Sequence, residues 1–250
     1  MSSPSIVAVL GSYARPATLE PQVRSLLAQT HPPSEIWCWS NSSGKAMDYD
    51  FALSVGVKIV RPLGLGFGYY ARSAPAQLAW HHPYVCIMDD DVLPGRRWLE
   101  GCIRILETEG PRILSAAGFT IGDPLVLNDR IWHGWGQGGN DAAVEVDVGG
   151  HNWVLPSYAI RPMFYEAPII PHSDDIHMAA MAKRVMGLRS FVAPQPRGDL
   201  SLWGTDPEFG RKWGEDENAG GKINPTWVED RARLIHSHVG RGWKLVGHTR

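Results

Sequence analysis

The chain has 250 residues, 44% of them apolar and 20% charged, with a formal net charge of −2. That length suits one large domain, which buries roughly 70–75% of its unfolded surface and needs no covalent staples. The near-neutral charge gives no strong pull toward nucleic acid or an anionic membrane.

Three cysteines, Cys38, Cys86 and Cys102, are too few and scattered for a disulfide framework and read as small buried hydrophobes. No apolar run approaches the roughly 20 residues that span a bilayer. The N-terminus lacks the basic-then-apolar pattern of a secretory signal, so a cytoplasmic location is expected.

Ile6 to Leu10 is a short apolar run closed by Gly11 and Ser12, which predicts a buried strand. Thr18 stands where an N-cap belongs, ahead of Leu19, Val23, Leu26 and Leu27 on one helical face. His31-Pro32-Pro33 stops that helix. Glu35 to Trp39 and Val57 to Val60 read as the second and third strands, with turn-rich residues 40–44 after the second. Gly64, Gly66 and Gly68 make a loop before a helix from about Ala71 to Trp80. Tyr84 to Met88 is the fourth strand.

Strand and helix alternate about every 25–30 residues, which argues for parallel βαβ units with right-handed crossovers. Ligands bind outside the carboxyl ends of such strands. After Pro94 a helix carries Trp98, Leu99, Ile103 and Leu106, and residues 112–122 give another strand. Residues 123–139 show no clear period. Val144 to Leu155 alternates apolar with small or polar residues, which predicts an antiparallel strand pair. Asp174 to Met186 reads as a helix, residues 197–225 as a mobile flap, and Thr226 to Ile235 as a final helix.

Chemistry concentrates in a few places. Asp89, Asp90 and Asp91 end the fourth strand. Three like charges there repel one another unless something positive sits among them, and a divalent cation chelated by a diphosphate is the usual compensation. Asp174 and Asp175 form a second acidic pair at a helix start, where the macrodipole favours them. His151, Asn152 and Trp153 follow two glycines, which permit close backbone approach to a ligand, and read as one wall of a ligand site. The chain carries eleven tryptophans, enough for some to line a sugar cleft with flat indole faces.

Taken together these pieces resemble the family 2 glycosyltransferases of the GT-A fold. Val9 to Pro16 is similar to their opening strand and loop, Ser25 to Thr30 to their first helix end, and Gly64 to Gly68 with Ala71-Arg72 to their donor loop. The Asp-x-Asp motif follows its strand. Val146 to His151 is similar to the acceptor-side strand, and Ser173 to Ile176 stands in place of the acidic pair.

The resemblance implies an α/β, GT-A-like fold with a mostly parallel central sheet and a smaller antiparallel acceptor-side element. It implies one domain: about 1–122 for the nucleotide-sugar, about 123–196 for acceptor and catalysis, about 197–250 for flap and C-terminal segment. The implied reaction moves a sugar, with inversion, from a UDP- or other nucleotide-sugar to a hydroxyl on a glycan, lipid-linked glycan, protein or modified nucleic-acid base.

Residue by residue, Asp91 and Asp89 would hold Mn²⁺ or Mg²⁺, with a further ligand from His236 or His238. Ser12, Tyr13, Arg15, Asn41, Gly66, Arg72, Asp89 and Asp90 would contact the donor. Asp175 would be the general base with Asp174 assisting, His151, Asn152 and Trp153 would form an acceptor or donor-sugar wall, and Arg241 and Lys244 would close over the phosphates. The family's second strand commonly ends in an aspartate that holds uracil; Ser40 and Asn41 stand there instead, so a UDP preference does not follow. The alternatives are a haloacid-dehalogenase-like phosphatase using Asp89 and Asp91, a non-catalytic nucleotide-sugar-binding module, and a nucleotidyltransferase releasing pyrophosphate.

Overall fold

The computed structural model describes residues 4–41, 46–61, 68–126 and 128–248. In chain order the strands are β1 (Ile6–Ser12), β2 (Glu35–Ser40), β3 (Lys58–Val60), β4 (Tyr84–Met88), β5 (Ile113–Ile121), β6 (Arg130–Gly134), β7 (Val144–Val146), β8 (Val148–Pro156) and β9 (Ser190–Val192). The α-helices are α1 (Leu19–Leu27), α2 (Asp50–Ser54), α3 (Ser73–Ala76), α4 (Trp98–Glu109), α5 (Asp174–Met186), α6 (Pro207–Gly214), α7 (Gly220–Ile223) and α8 (Trp227–Gly240).

The strands form a single mixed sheet in the order β3-β2-β1-β4-β8-β5-β9-β7, with β6 also paired to β5. β1 to β4 run parallel, as the strand–helix alternation predicts. β8 runs antiparallel to both β4 and β5. Its start therefore lies beside the carboxyl end of β4, with Met88 opposite Asn152.

β1 is buried on both faces because each face meets a separate layer. Ile6, Ala8 and Leu10 pack with Val23 and Leu26 of α1 and with Leu99 and Ile103 of α4. Val7 and Val9 pack with Ala76, Ala159, Ile160 and Met178 on the other side. Each fully buried Leu, Ile or Val contributes about 1.5–3 kcal/mol of transfer free energy, so this alternation specifies the register. The cysteines lie in this interior as free thiols, and burial pushes the Cys38 thiol up to about 12.

Several elements depart from the sequence pattern for local reasons. The helix expected from Ala71 to Trp80 breaks into 3-10 turns around the single α-turn α3. Pro75 inside it has no N–H for the helical ladder. Val144 to Leu155 is not a hairpin: β7 joins β9, while β8 joins β4 and β5. One residue, Asp147, separates β7 from β8, and a hairpin turn needs at least two. Asp147 is instead a buried tie, accepting from the backbone N–H of Ile121 at 2.8 Å and of Val246 at 2.7 Å.

The stretch expected as a mobile flap holds α6 and α7. Asp206 caps α6 by accepting from the N–H groups of Glu208 and Phe209, with Pro207 at the first helical position. That start signal was present in the polar stretch. No described helix is long and apolar enough to cross a membrane.

Candidate active site

The carboxyl ends of β1, β2 and β4, the start of β8 and the start of α5 open into one cleft of about 350 Å³. Ser12, Tyr13, Arg15 and Asn41 line it together with Arg72, all three aspartates after β4, His151, Trp153, Asp174 and Asp175. Residues from six separate parts of the chain thus meet at one edge, as an open α/β sheet requires.

The aspartate turn is anchored from below. Gln22 of α1, fully buried, donates its side-chain amide to the carbonyls of Asp89 at 2.6 Å and Val92 at 2.9 Å. The Asp89 N–H donates to the His151 carbonyl at 3.0 Å. His151 has φ of 69°, an uncommon conformation for a residue with a side chain. Such a turn is tolerated where surrounding contacts over-determine it. It sets the imidazole Nδ1 3.9 Å from an Asp91 oxygen.

Each carboxylate meets a different mixture of burial and charge. Asp89 is pushed up to about 7, chiefly by burial, although it touches Arg72. Burial likewise raises Asp90, against the contact with Arg15. Burial acts upward on Asp91 too, but the facing His151, with Arg15 and Arg72, holds it below the ordinary carboxylate value. Burial disfavours charge on His151, yet Asp91 raises its pKa.

Asp89, Asp91 and His151 each offer a ligand atom, all within 4.8 Å of one another. Among the described residues Asp90 Oδ2 and Asp91 Oδ1 are buried with no hydrogen-bond partner, and Asp89 Oδ1 meets Arg72 without hydrogen-bond geometry. Buried carboxylate oxygens left in this state are costly.

The second pair is arranged differently. Asp175 is gripped by Arg231 of α8 through two hydrogen bonds, at 2.9 and 2.7 Å. Burial acts upward on it, but this fork holds its pKa low. Asp174 accepts from Arg72 at 3.0 Å, and burial lifts it to about 6 despite that arginine. Arg72 therefore bridges the two acidic groups, stacked 4.9 Å over the Trp153 ring.

Over the cleft, Asp216 holds Arg15 through bonds of 2.8 and 3.0 Å. Gly214, ending α6, sits so close that a Cβ there would stand 3.3 Å from Asp91 Oδ2. Trp132, Arg130, Ile223 and Trp227 complete the opposite wall.

Comparison with known proteins decides the family. The sequence model of glycosyl transferase family 2 matches residues 8–143, just over half of the chain. The chain belongs to this family. Membership supports glycosyl transfer from a nucleotide-sugar. No curated protein matches the sequence. Among solved structures, the mannosyltransferase PcManGT from Pyrobaculum calidifontis, in complex with GDP-Man and Mn²⁺, is similar with a TM-score of 0.55. It shares 14% identity, with 96% of this chain and 75% of that one covered, and the likeness is one of GT-A fold. The family assignment leaves no support for the phosphatase alternative.

The glycosyltransferase assembles most residues singled out from its sequence and corrects several. Gly66 lies outside the described residues. Asn152 is not a wall residue: fully buried, it donates to the Gly204 carbonyl at 3.0 Å and accepts from Cys86 Sγ. A strand alternates its side chains, so His151 and Asn152 point to opposite faces.

His236 is exposed on α8, and His238 is buried against His177 at 3.1 Å and beside Trp243, away from the cleft. Burial and His177 pull His238 down to about 3. Neither reaches the aspartates; His151 occupies that place. Arg241 pairs with Glu166, and Lys244 is exposed. Asp216 and Arg231 were not singled out. Asp216 sits in an acidic run whose partner is two hundred residues away, and nothing about Arg231 in a helical pattern announces its reach to Asp175.

Proposed function

We propose that this glycosyltransferase transfers a sugar from a nucleoside diphosphate donor to an acceptor hydroxyl with inversion, as a divalent-cation-dependent enzyme with Asp174 as general base. One observation carries the reading: under-compensated carboxylates at the β4 tip share a cleft with a second carboxylate whose pKa lies at about 6.

Asp89, Asp91 and His151 would hold the cation; two carboxylates and one imidazole suit Mn²⁺, and Mg²⁺ less closely. When bound, the ion supplies positive charge to the donor diphosphate and to the negative charge that builds on it as it leaves. The mannosyltransferase of similar fold, in complex with GDP-Man and Mn²⁺, supports a donor and ion of that kind.

The remaining roles fall to side chains of the chain itself. Ser12 Oγ is buried at the β1 end with no partner among the described residues, and Asn41 lies at the cleft with its amide near Gly68, so both offer neutral hydrogen bonds to a nucleoside. Asp174 takes the acceptor proton while the hydroxyl oxygen forms its bond to the anomeric carbon. The bond from that carbon to the diphosphate oxygen breaks, and its electron pair leaves with the diphosphate.

A base near the working pH contributes about 10²–10⁴-fold. The expectation that Asp175 is the base is set aside on physical grounds: both its oxygens are taken by Arg231, and its pKa is low. Asp175 instead fixes Arg231, which lies 5.1 Å from the Trp227 ring on the acceptor wall.

Calorimetry with GDP-mannose and a panel of UDP-sugars, each with and without Mn²⁺, tests the donor and the ion. Manganese-dependent binding of at least one is expected. Binding of none, or binding indifferent to the ion, removes the metal-dependent reading. NMR of the transferred sugar's anomeric carbon separates inversion from retention.

A further inference from the structure

The opposite edge of the sheet carries a second cluster with ligand character. Glu35 begins β2, and His81 and His82 form the turn before β4. The registers Val7 with Glu35 and Ile6 with Tyr84 bring these segments together at the amino ends of the strands. That edge is a full strand length from the cleft.

One carboxylate oxygen of Glu35, a ring nitrogen of His81 and one of His82 lie within 4.8 Å of one another. The His82 Nε2 stands 4.0 Å from Glu35 Oε1, and the two imidazoles are 4.3 Å apart between centroids. We propose that Glu35, His81 and His82 form a binding site for a late first-row divalent cation such as Zn²⁺, separate from the catalytic cleft.

Independent features of the structure point the same way. His82 is 8% exposed, yet its Nε2 is buried with no hydrogen-bond partner among the described residues. An orphaned buried ring nitrogen facing a carboxylate is a polar atom whose partner is missing. Its other nitrogen, Nδ1, lies 3.2 Å from the Ser5 hydroxyl. A hydrogen bond from Nδ1 is how proteins orient a ligating histidine and free the Nε2 lone pair.

Glu35 is prepared as well. Lys58 Nζ and the Trp37 indole N–H both bond Oε2, each at 2.6 Å, which leaves Oε1 toward the histidines. Lys58 is also the cation that opposes an ion here, and its pairing to Oε2 offsets that charge locally. Tetrahedral zinc bonds of about 2.1 Å put ligand atoms about 3.4 Å apart. His81, exposed on its turn, supplies that adjustment by side-chain rotation. Solvent completes the coordination. An ion there ties the turn before β4 to the start of β2 and works as a staple of the sheet edge.

The test uses tag-free protein stripped with chelator, and Zn²⁺ as the probe. Calorimetry on the Asp91→Ala protein, whose cleft cannot compete, should still register one zinc. His81→Ala and Glu35→Gln in that background should weaken it by more than about tenfold, since even a lost outer-shell partner costs that much. Ser5→Ala should weaken it by about tenfold. Cu²⁺ in the same site should show two nitrogen ligands by electron paramagnetic resonance. His81 is exposed, so its substitution leaves the fold intact and keeps the result readable if His82→Ala does not fold. No zinc on the Asp91→Ala protein, or an affinity indifferent to His81→Ala, overturns the site.

Discussion

The aspartates after β4 and the pair at the start of α5 each set carboxyls lifted by burial, Asp89 and Asp90 in the first and Asp174 in the second, beside one held down by neighbouring positive charge. Asp89 stands against Asp91, and Asp174 against Asp175. They differ in how fully the negative charge is met. At α5, Arg231 takes both oxygens of Asp175 with a forked pair of hydrogen bonds, and the helix N-terminus adds its dipole.

At the strand tip there is no helix, Arg15 is divided between Asp90 and Asp216, and carboxylate oxygens remain buried without hydrogen bonds. The first cluster still wants a cation, whereas the second has its own and retains one carboxyl free to change its proton. An arginine shared between two acids, as Arg72 is between Asp89 and Asp174, satisfies neither. On the proposed function, similar residues would serve for ion binding in one place and proton transfer in the other.

Substitutions can break that contrast, the most damaging first. Asp91→Ala should abolish manganese-dependent donor binding in calorimetry and lower kcat/KM by about a thousandfold or more, because several kcal/mol of charge stabilisation go with the ion. Unchanged ion dependence would leave the strand tip without its assigned role. Asp174→Asn should cost about 10²–10⁴ in kcat with the donor Kd kept. If Asp175→Asn costs more in kcat than Asp174→Asn, the division of labour proposed for the pair is reversed.

The pH profile sharpens the same point. A base must be ionised to act, and Asp174 ionises at about 6 instead of the usual value of 3.8. At saturating Mn²⁺, kcat should therefore rise with pH up to about 6 and level off above it. A plateau that already extends down to pH 4.5 would point to a base of ordinary or lowered pKa.

Smaller effects test neighbours that look alike in sequence. Asn152→Ala should lower stability by about 1–3 kcal/mol, because the Gly204 carbonyl loses its buried donor, while donor affinity in the folded protein is unchanged. Denaturant titration beside calorimetry separates the two readings. His236→Ala should alter stability by less than about 0.5 kcal/mol and leave manganese affinity alone, as befits an exposed residue outside the cleft. A large loss of manganese affinity in that variant would return the C-terminal histidines to the site.

Much of this molecule was legible residue by residue. Tyr84 to Met88 and Asp174 to Met186 are where the pattern puts them, because an uninterrupted apolar run and a well-spaced helical face leave the chain little choice. The Asp-x-Asp motif, Arg15, Arg72 and the second acidic pair are recognisable because local chemistry and family pattern coincide. Pairing partners were not legible. β8 inserts between β4 and β5, and β7 crosses to β9, because a strand of three to nine residues carries no mark of its neighbour.

The same holds for the electrostatic roles. That His151 and not His238 stands at the aspartates, that Arg231 disarms Asp175, and that Asp216 holds Arg15 all depend on separations of tens to hundreds of residues closing to a few ångströms. Composition and spacing determine which side chains are available and which elements carry them. Only the packed sheet decides which charges share a low-dielectric cleft, and a carboxylate's proton affinity is set by those neighbours and not by its place in the chain.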